Sequence, residues 1–344
     1  MARTAPDPLG SRLPLAAAPM AGGPTTPRLA AAVAEAGAFT FLAGGYKTAE
    51  SLAAEIAEVR RGDAAFGVNL FAPTLCPIDE AEFRRYAHEL QTDAERYDLD
   101  LSQAPLLEDD DRWQDKLDLL LADPVPVVSV TFGLPRPAEV AALRRAGSQV
   151  LVTVTTVDEA RAAADVGADA LVAQGSAAGG HSGAHDPLRT ITPMPTERLT
   201  RDVIAATGLP VIAAGGVDGP RAVAELLAAG ASAVGVGTLL LRTDESGASR
   251  THKDALADPR FTDTVITRAF TGRPARSLRN RFADRYDATG PAGYPAIHHL
   301  TRAMRQAAAA AGDPHGLHLW AGTGFRSATT GPARAVIDRL AELL

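Results

Sequence analysis

Short runs of nearly unbroken apolar residues recur along the chain at 15–18, 38–42, 66–71, 125–130, 149–154, 168–173, 209–213 and 231–236. Segments with charges at helical spacing lie between them, at 27–36, 49–61, 78–95, 137–146, 157–166, 195–206 and 219–229. Runs that are apolar at every residue, and not at alternate ones, suit strands covered on both faces, and strand–helix alternation implies a parallel sheet. An open doubly wound sheet usually has about five or six strands. Eight units within about 240 residues fit a closed α/β fold instead, the eight-stranded parallel β/α (TIM) barrel.

That reading assigns residues 1–243 to the barrel, with an overlong third unit inserted at 73–124, and 244–344 to a mainly helical extension packed on it. The insertion holds an acidic helix, the polar stretch LEDDDRWQD and a second short helix. No internal repeat beyond the β/α unit stands out.

With 34 basic and 41 acidic residues the net charge is −7, which argues against a nucleic-acid surface or a polybasic membrane contact and leaves small molecules as the expected partners. The single cysteine, Cys76, closes no internal disulfide and builds no multi-thiolate metal site, which fits a cytoplasmic protein. The first twenty residues lack the apolar core of a signal peptide, and no run approaches the ~18 apolar residues of a membrane span.

In a β/α barrel the chemistry sits on the loops that follow the strands. Here those loops read APMAGG, AGGYKT, VNLFAP, SVTFGLP, TVTTVD, AQGSAAGGHSG, AAGGVDG and GVGTLLLR. The seventh and eighth carry matching glycines, Gly215 and Gly216, just before a helix starting near Pro220, and Gly235 and Gly237. Open backbone N–H groups and a positive helix end make that an anion cradle; the plainer alternative is a tight turn. There is neither a GxxxxGK[ST] loop nor a strand-linked GxGxxG.

His181, set between glycines after the sixth run, is the catalytic candidate, because an imidazole titrates near neutrality and has no packing reason to be there. His181, His185 and Asp186 are a poor metal set on a glycine-broken loop, and no metal is expected. Asn69 is a polar side chain in a core strand, so it needs a partner, which a bound ligand can supply. His298 and His299 in the extension are explained as well by a helix surface as by a site.

At PMAGG from Pro19, FGVNLF from Phe66, AQGSAAGGHSG from Ala173, PVIAAGGV from Pro210 and GVGTLLL from Gly235, the sequence resembles the nitronate monooxygenases, FMN-dependent barrel enzymes. The closing HLWAGTGFRSA from His318 is also similar to members of that family. The resemblance implies FMN across the barrel mouth, with Pro19, Met20 and Ala21 behind the isoalloxazine and with Asn69 and Gln174 bonded to flavin or ribityl atoms. Gly179, Gly180, Gly215, Gly216, Gly235, Val236, Gly237 and Thr238 would hold the phosphate, and His181 would face the substrate. The implied activity is oxidation of alkyl nitronates, and of nitroalkanes, by O2 to a carbonyl compound and nitrite, in a monomer or homodimer. One departure is Ala177, where the family usually has a glutamate.

Two other readings stay open. A flavin-dependent NAD(P)H enoyl-thioester or quinone reductase shares the barrel, the AGGH loop and the AAGG turn, although Gln174 stands where such reductases tend to carry a carboxylate. A non-catalytic flavin-binding protein would explain Ala177 but not His181.

Overall fold

The computed structural model describes residues 8–62, 65–73 and 76–344; within the 73–124 insertion, residues 74 and 75 lie outside these. Its strands are β1 (Leu15–Ala17), β2 (Phe39–Ala43), β3 (Phe66–Phe71), β4 (Val127–Thr131), β5 (Gln149–Val154) and β6 (Ala170–Gln174). The two-residue β7 (Gly180–His181) comes next, then β8 (Val211–Ala214), β9 (Ala233–Val236), β10 (Thr264–Thr267) and β11 (Ala275–Leu278). Strands β1 to β6, β8 and β9 pair in parallel in that order, and β9 returns to β1 through Ala16–Gly235, so the barrel is closed. One residue of nearly every strand points inward, Ala16, Phe39, Phe41, Val127, Leu151, Ala170, Ile212 and Ala233, and Leu9 joins them in a packed interior.

The helices are α1 (Pro27–Glu35), α2 (Ala49–Val59), α3 (Glu80–Ala94), α4 (Trp113–Ala122), α5 (Pro137–Arg145) and α6 (Val157–Asp165). They continue as α7 (Thr196–Thr207), α8 (Pro220–Ala228), α9 (Arg250–Ala255), α10 (Arg281–Tyr286), α11 (Ala296–Ala310) and α12 (Ala333–Leu340). No helix among the described residues is long and apolar enough to cross a membrane.

The structure shares out the insertion and the extension differently from their order in the chain. From the insertion, α4 packs Trp113, Leu117 and Leu120 against Leu52, Ile56 and Val128 and serves as the barrel's third outer helix. The final helix, α12, buries Ala333, Val336, Ile337 and Leu340 against Leu29 and Val33 of α1 and Val223 and Leu226 of α8, filling the eighth outer position. That i, i+3, i+4, i+7 spacing is one stripe of an amphipathic helix.

What remains forms a cap with a core of its own. Phe83, Tyr86 and Leu90 of α3 pack on Phe282 and Tyr286 of α10 and on Ile297, Leu300 and Met304 of α11. The polar 244–288 segment, which shows no strand pattern in the sequence, supplies the hairpin β10–β11. Its inner strand pairs with the loop after β6, Ala275 opposite His181 and Arg276 opposite Gly180, so the cap is stitched to the barrel at the candidate histidine.

If α12 closes the ring, Ile337→Ala should lower the unfolding free energy by about 2–5 kcal/mol in urea denaturation, as expected for a fully buried aliphatic side chain. Arg334→Ala, which loses only an exposed pair with Asp338, should stay within about 0.5 kcal/mol of the parent.

Candidate active site

The loops at the C-terminal strand ends and the cap enclose a cleft of about 470 Å³, within the usual size of a small-molecule site. Pro19, Met20, Ala21, Asn69, Gln174, Gly179, Gly180, His181, Gly215, Gly216, Gly235, Gly237 and Thr238 all line it. Val236 does not. Its side chain faces outward into the core beneath α1 and α12, because alternate residues of a strand point to opposite sides, and only its carbonyl works locally, accepting from Ala18 N at 2.9 Å.

The turn after β8 runs through Gly215 at φ 115° and Gly216 at φ 81°, a region that favours glycine. Among the described residues no acceptor pairs with the N–H groups of Gly216, Val217 or Gly237. The helix α8 starts close by, at Pro220. The closing segment of the chain lies across the same place, with Gly322 N donating to Thr238 Oγ1 at 2.9 Å and Thr323 N to Ala177 O at 3.1 Å. A Cβ at Gly179 would collide with the Gly322 backbone, so the two segments meet only because Gly179 has none. These unpaired donors, the positive end of α8 and the flanking Gly322 and Gly324 suit an anionic group such as a phosphate.

His181 is half-buried on β7. Its Nε2 lies 2.8 Å from Thr271 Oγ1, on the β10–β11 turn, and its ring contacts Phe132, Tyr294 and Trp320 at centroid distances of 5.6, 5.7 and 5.4 Å. Burial, and then the charges of Arg273 and Arg305, lower its pKa from 6.5 to about 3, so the imidazole is neutral at ordinary pH. Arg273 is 1% exposed, sits 4.0 Å above the Phe132 ring and donates to Ala184 O. Arg305 donates to Thr301 Oγ1 at 3.0 Å and His298 O at 2.9 Å. Neither guanidinium pairs with a carboxylate among the described residues, and no Asp or Glu lines the cleft.

Gln174 spends both ends of its amide on the histidine loop, Nε2 donating to His181 O at 3.1 Å and Oε1 accepting from Gly183 N at 2.6 Å. Its first role is thus to set the loop, which differs from the expectation of a free flavin ligand. Asn69 finds partners within the barrel, Nδ2 donating to Ser129 Oγ at 2.9 Å and Thr131 Oγ1 at 3.0 Å, while no hydrogen bond among the described residues uses its Oδ1. Where Ala177 leaves the loop without a carboxylate, Arg276 of β11 holds it instead, donating through Nε and Nη2 to Ser176 O at 2.9 and 2.7 Å.

The sequence model of the nitronate monooxygenases matches residues 11–342. The chain belongs to the nitronate monooxygenase family. A probable nitronate monooxygenase of Staphylococcus aureus (strain JH9) is 34% identical over 337 residues, covering 96% of this chain and 94% of that protein. The crystal structure of nitroalkane oxidase from Streptomyces ansochromogenes is similar at TM-score 0.91 and 48% identity, over 96% of this chain and 95% of that one. The structure of FabK from Thermotoga maritima is similar at TM-score 0.75 and 27% identity, over 97% and 93%. This family of oxidoreductases consists in general of flavoenzymes.

Sequence reasoning missed most of what the cap brings to the cleft of this nitronate monooxygenase family member: Thr271, Arg305 and Trp320, with Arg273 packed on Phe132, together with Tyr46 and Phe132 from the barrel loops. His298, for which the sequence left a helix surface and a site as equal readings, is 6% exposed and lines the cleft. The available signal was the spacing of His298 and Arg305, seven residues apart on one face of α11.

Four cleft imidazoles are held neutral by burial: His181 at about 3, His252 at about 4, and His298 and His318 well below the usual value. Below pH 6.5 the unfolded chain takes up protons that the folded one refuses, so stability must fall with pH from about 6.5 towards 4. Each group steepens that fall by up to about 1.4 kcal/mol per pH unit. His181→Asn should therefore flatten the plot of urea-unfolding free energy against pH, and an unchanged slope would contradict a neutral buried His181.

Proposed function

We propose that the protein holds FMN across the barrel mouth and oxidises alkyl nitronates with O2 to a carbonyl compound and nitrite. The observation that carries this reading is a cleft with the buried guanidinium of Arg305 in its lining, that of Arg273 behind Phe132, an open anion cradle and no carboxylate in its lining. The residues present fit the cofactor: Gly216, Val217 and Gly237 offer N–H groups to its phosphate, Pro19 to Ala21 a backing for the ring and Asn69 Oδ1 an acceptor. When bound, FMN supplies the redox chemistry.

The chain's own residues do the rest. Arg273 and Arg305 make the neighbourhood of His181 electropositive, which favours a nitronate anion and disfavours a second cation on the imidazole. For a neutral nitroalkane, the unprotonated His181 ring offers a lone pair to the α-proton, and Thr271 Oγ1 fixes the ring through Nε2. Phe132, Tyr294 and Trp320 screen that nitrogen pair from bulk water.

The likeness to FabK supports a second reading, an NAD(P)H-dependent enoyl-thioester or quinone reductase. Anaerobic mixing separates the two. Ethyl nitronate should bleach the flavin absorbance while NADH and NADPH leave it unchanged; rapid bleaching by a nicotinamide would favour the reductase. His181→Asn should retain flavin and lose roughly 100-fold or more in kcat/KM on neutral nitroethane, with a smaller loss on its preformed nitronate. Equal losses would remove His181 from proton abstraction.

A further inference from the structure

The acidic stretch 107–112 takes no part in the chemistry above, yet two of its carboxylates reach the two bodies that wall the cleft. Asp111 Oδ1 accepts from the backbone N–H of Tyr46, on the loop after β2, at 2.8 Å. Its Oδ2 lies 2.7 Å from Nζ of Lys116, whose side chain is only 1% exposed. Asp109 Oδ2 lies 2.8 Å from Nε2 of His299, on α11. The same short segment therefore grips a barrel loop and a cap helix.

What it grips on the barrel side is strained. Tyr46 stands at φ 65°, a conformation that disfavours any side chain and persists only where the surroundings impose it. The ring so placed lies flat on His298, with centroids 4.2 Å apart and planes 6° from parallel. It also meets Phe71 edge-on at 5.4 Å, and its hydroxyl accepts from Tyr294 Oη at 3.3 Å. Phe71 and Tyr294 both contact Phe132, and Phe132 and Tyr294 both contact His181. Tyr46 is thus the far wall of one aromatic enclosure whose near end is the imidazole.

Tyr46, Phe71, Phe132 and His298 line the cleft together with His181 and offer an apolar wall to the alkyl chain of a substrate whose reacting carbon sits at His181. We propose that Tyr46, seated by Asp111, is the specificity-determining residue of the cleft: its stack on His298 limits the length of the alkyl chain that a nitronate carries. Asp111 is a positioning residue that acts through its acceptor oxygen, and Lys116 serves to neutralise it in a buried place. The substrate half of this inference rests on the nitronate reading; the clamp on Tyr46 does not.

Two double variants isolate the acceptor, since both remove the buried charge pair. Asp111→Asn/Lys116→Met keeps an oxygen for the Tyr46 N–H, and Asp111→Ala/Lys116→Met removes it. Each is compared with the parent and with Tyr46→Ala as flavin-loaded protein, by hydrogen exchange of the Tyr46 amide and by kcat and KM on the nitronates of nitroethane, nitrobutane and nitrohexane. Tyr46→Ala should raise the hexyl-to-ethyl ratio of kcat/KM about tenfold or more, chiefly through KM. The alanine double variant should follow it and expose the amide to faster exchange, whereas the asparagine one should match the parent in both. Equal exchange in the two double variants would overturn the clamp, and an unchanged length profile in Tyr46→Ala would overturn its role in specificity. A parent that turns over no nitronate would sink the substrate reading, and amide exchange would still decide the clamp.

Discussion

Three backbone N–H groups at the barrel mouth, those of Gly216, Val217 and Gly237, have no acceptor among the described residues, and Arg273 and Arg305 have no carboxylate. Gly216 and Gly237 are half-buried and Val217 is buried; a fully buried donor left unpaired costs about 1–3 kcal/mol, more for a charged one. Burial, helped at Arg305 by the charge of Arg302, lowers the pKa of each guanidinium from 12.5 to about 10, so both stay charged at neutral pH. Such unpaired donors and charges suit an anionic ligand. The neutrality of His181 comes first from burial and then from the same two charges, which repel a proton from the ring.

The architecture explains how those charges come to be there. The ring of outer helices is completed from the chain's last helix, α12, so everything between β9 and α12 is free to fold back over the mouth. The cap built this way shares its core with α3, and its hairpin pairs directly with Gly180 and His181. The histidine therefore belongs to both bodies: β6 and Gln174 fix its loop from the barrel, and β11 and Arg276 fix it from the cap.

Much of the barrel was legible in the sequence because a strand buried on both faces has few polar positions, and each of the eight apolar runs overlaps a barrel strand. The glycines after β6, β8 and β9 were legible for a related reason, since a backbone that approaches a ligand closely has no room for Cβ. Val236 was misplaced because a motif gives residue order but not which side of the strand a residue faces. Gln174 was expected to bond flavin or ribityl atoms, while its amide bonds His181 O and Gly183 N. The cap's contribution was hidden for a stronger reason: Thr271 and Arg273 lie in a polar, aperiodic turn, and only the pairing of β11 with β7, across more than ninety residues of chain, brings them to the imidazole.

Titration of the flavin-free protein with FMN and with riboflavin, followed by quenching of flavin fluorescence, tests the anion-centred account most directly. The two ligands share the ring and the ribityl chain and differ only in the phosphate. If they hold the phosphate, three unpaired N–H groups and a helix end should give FMN an advantage of roughly 100-fold or more in Kd. Equal affinity for riboflavin would mean that the open donors hold no phosphate and would contradict the account.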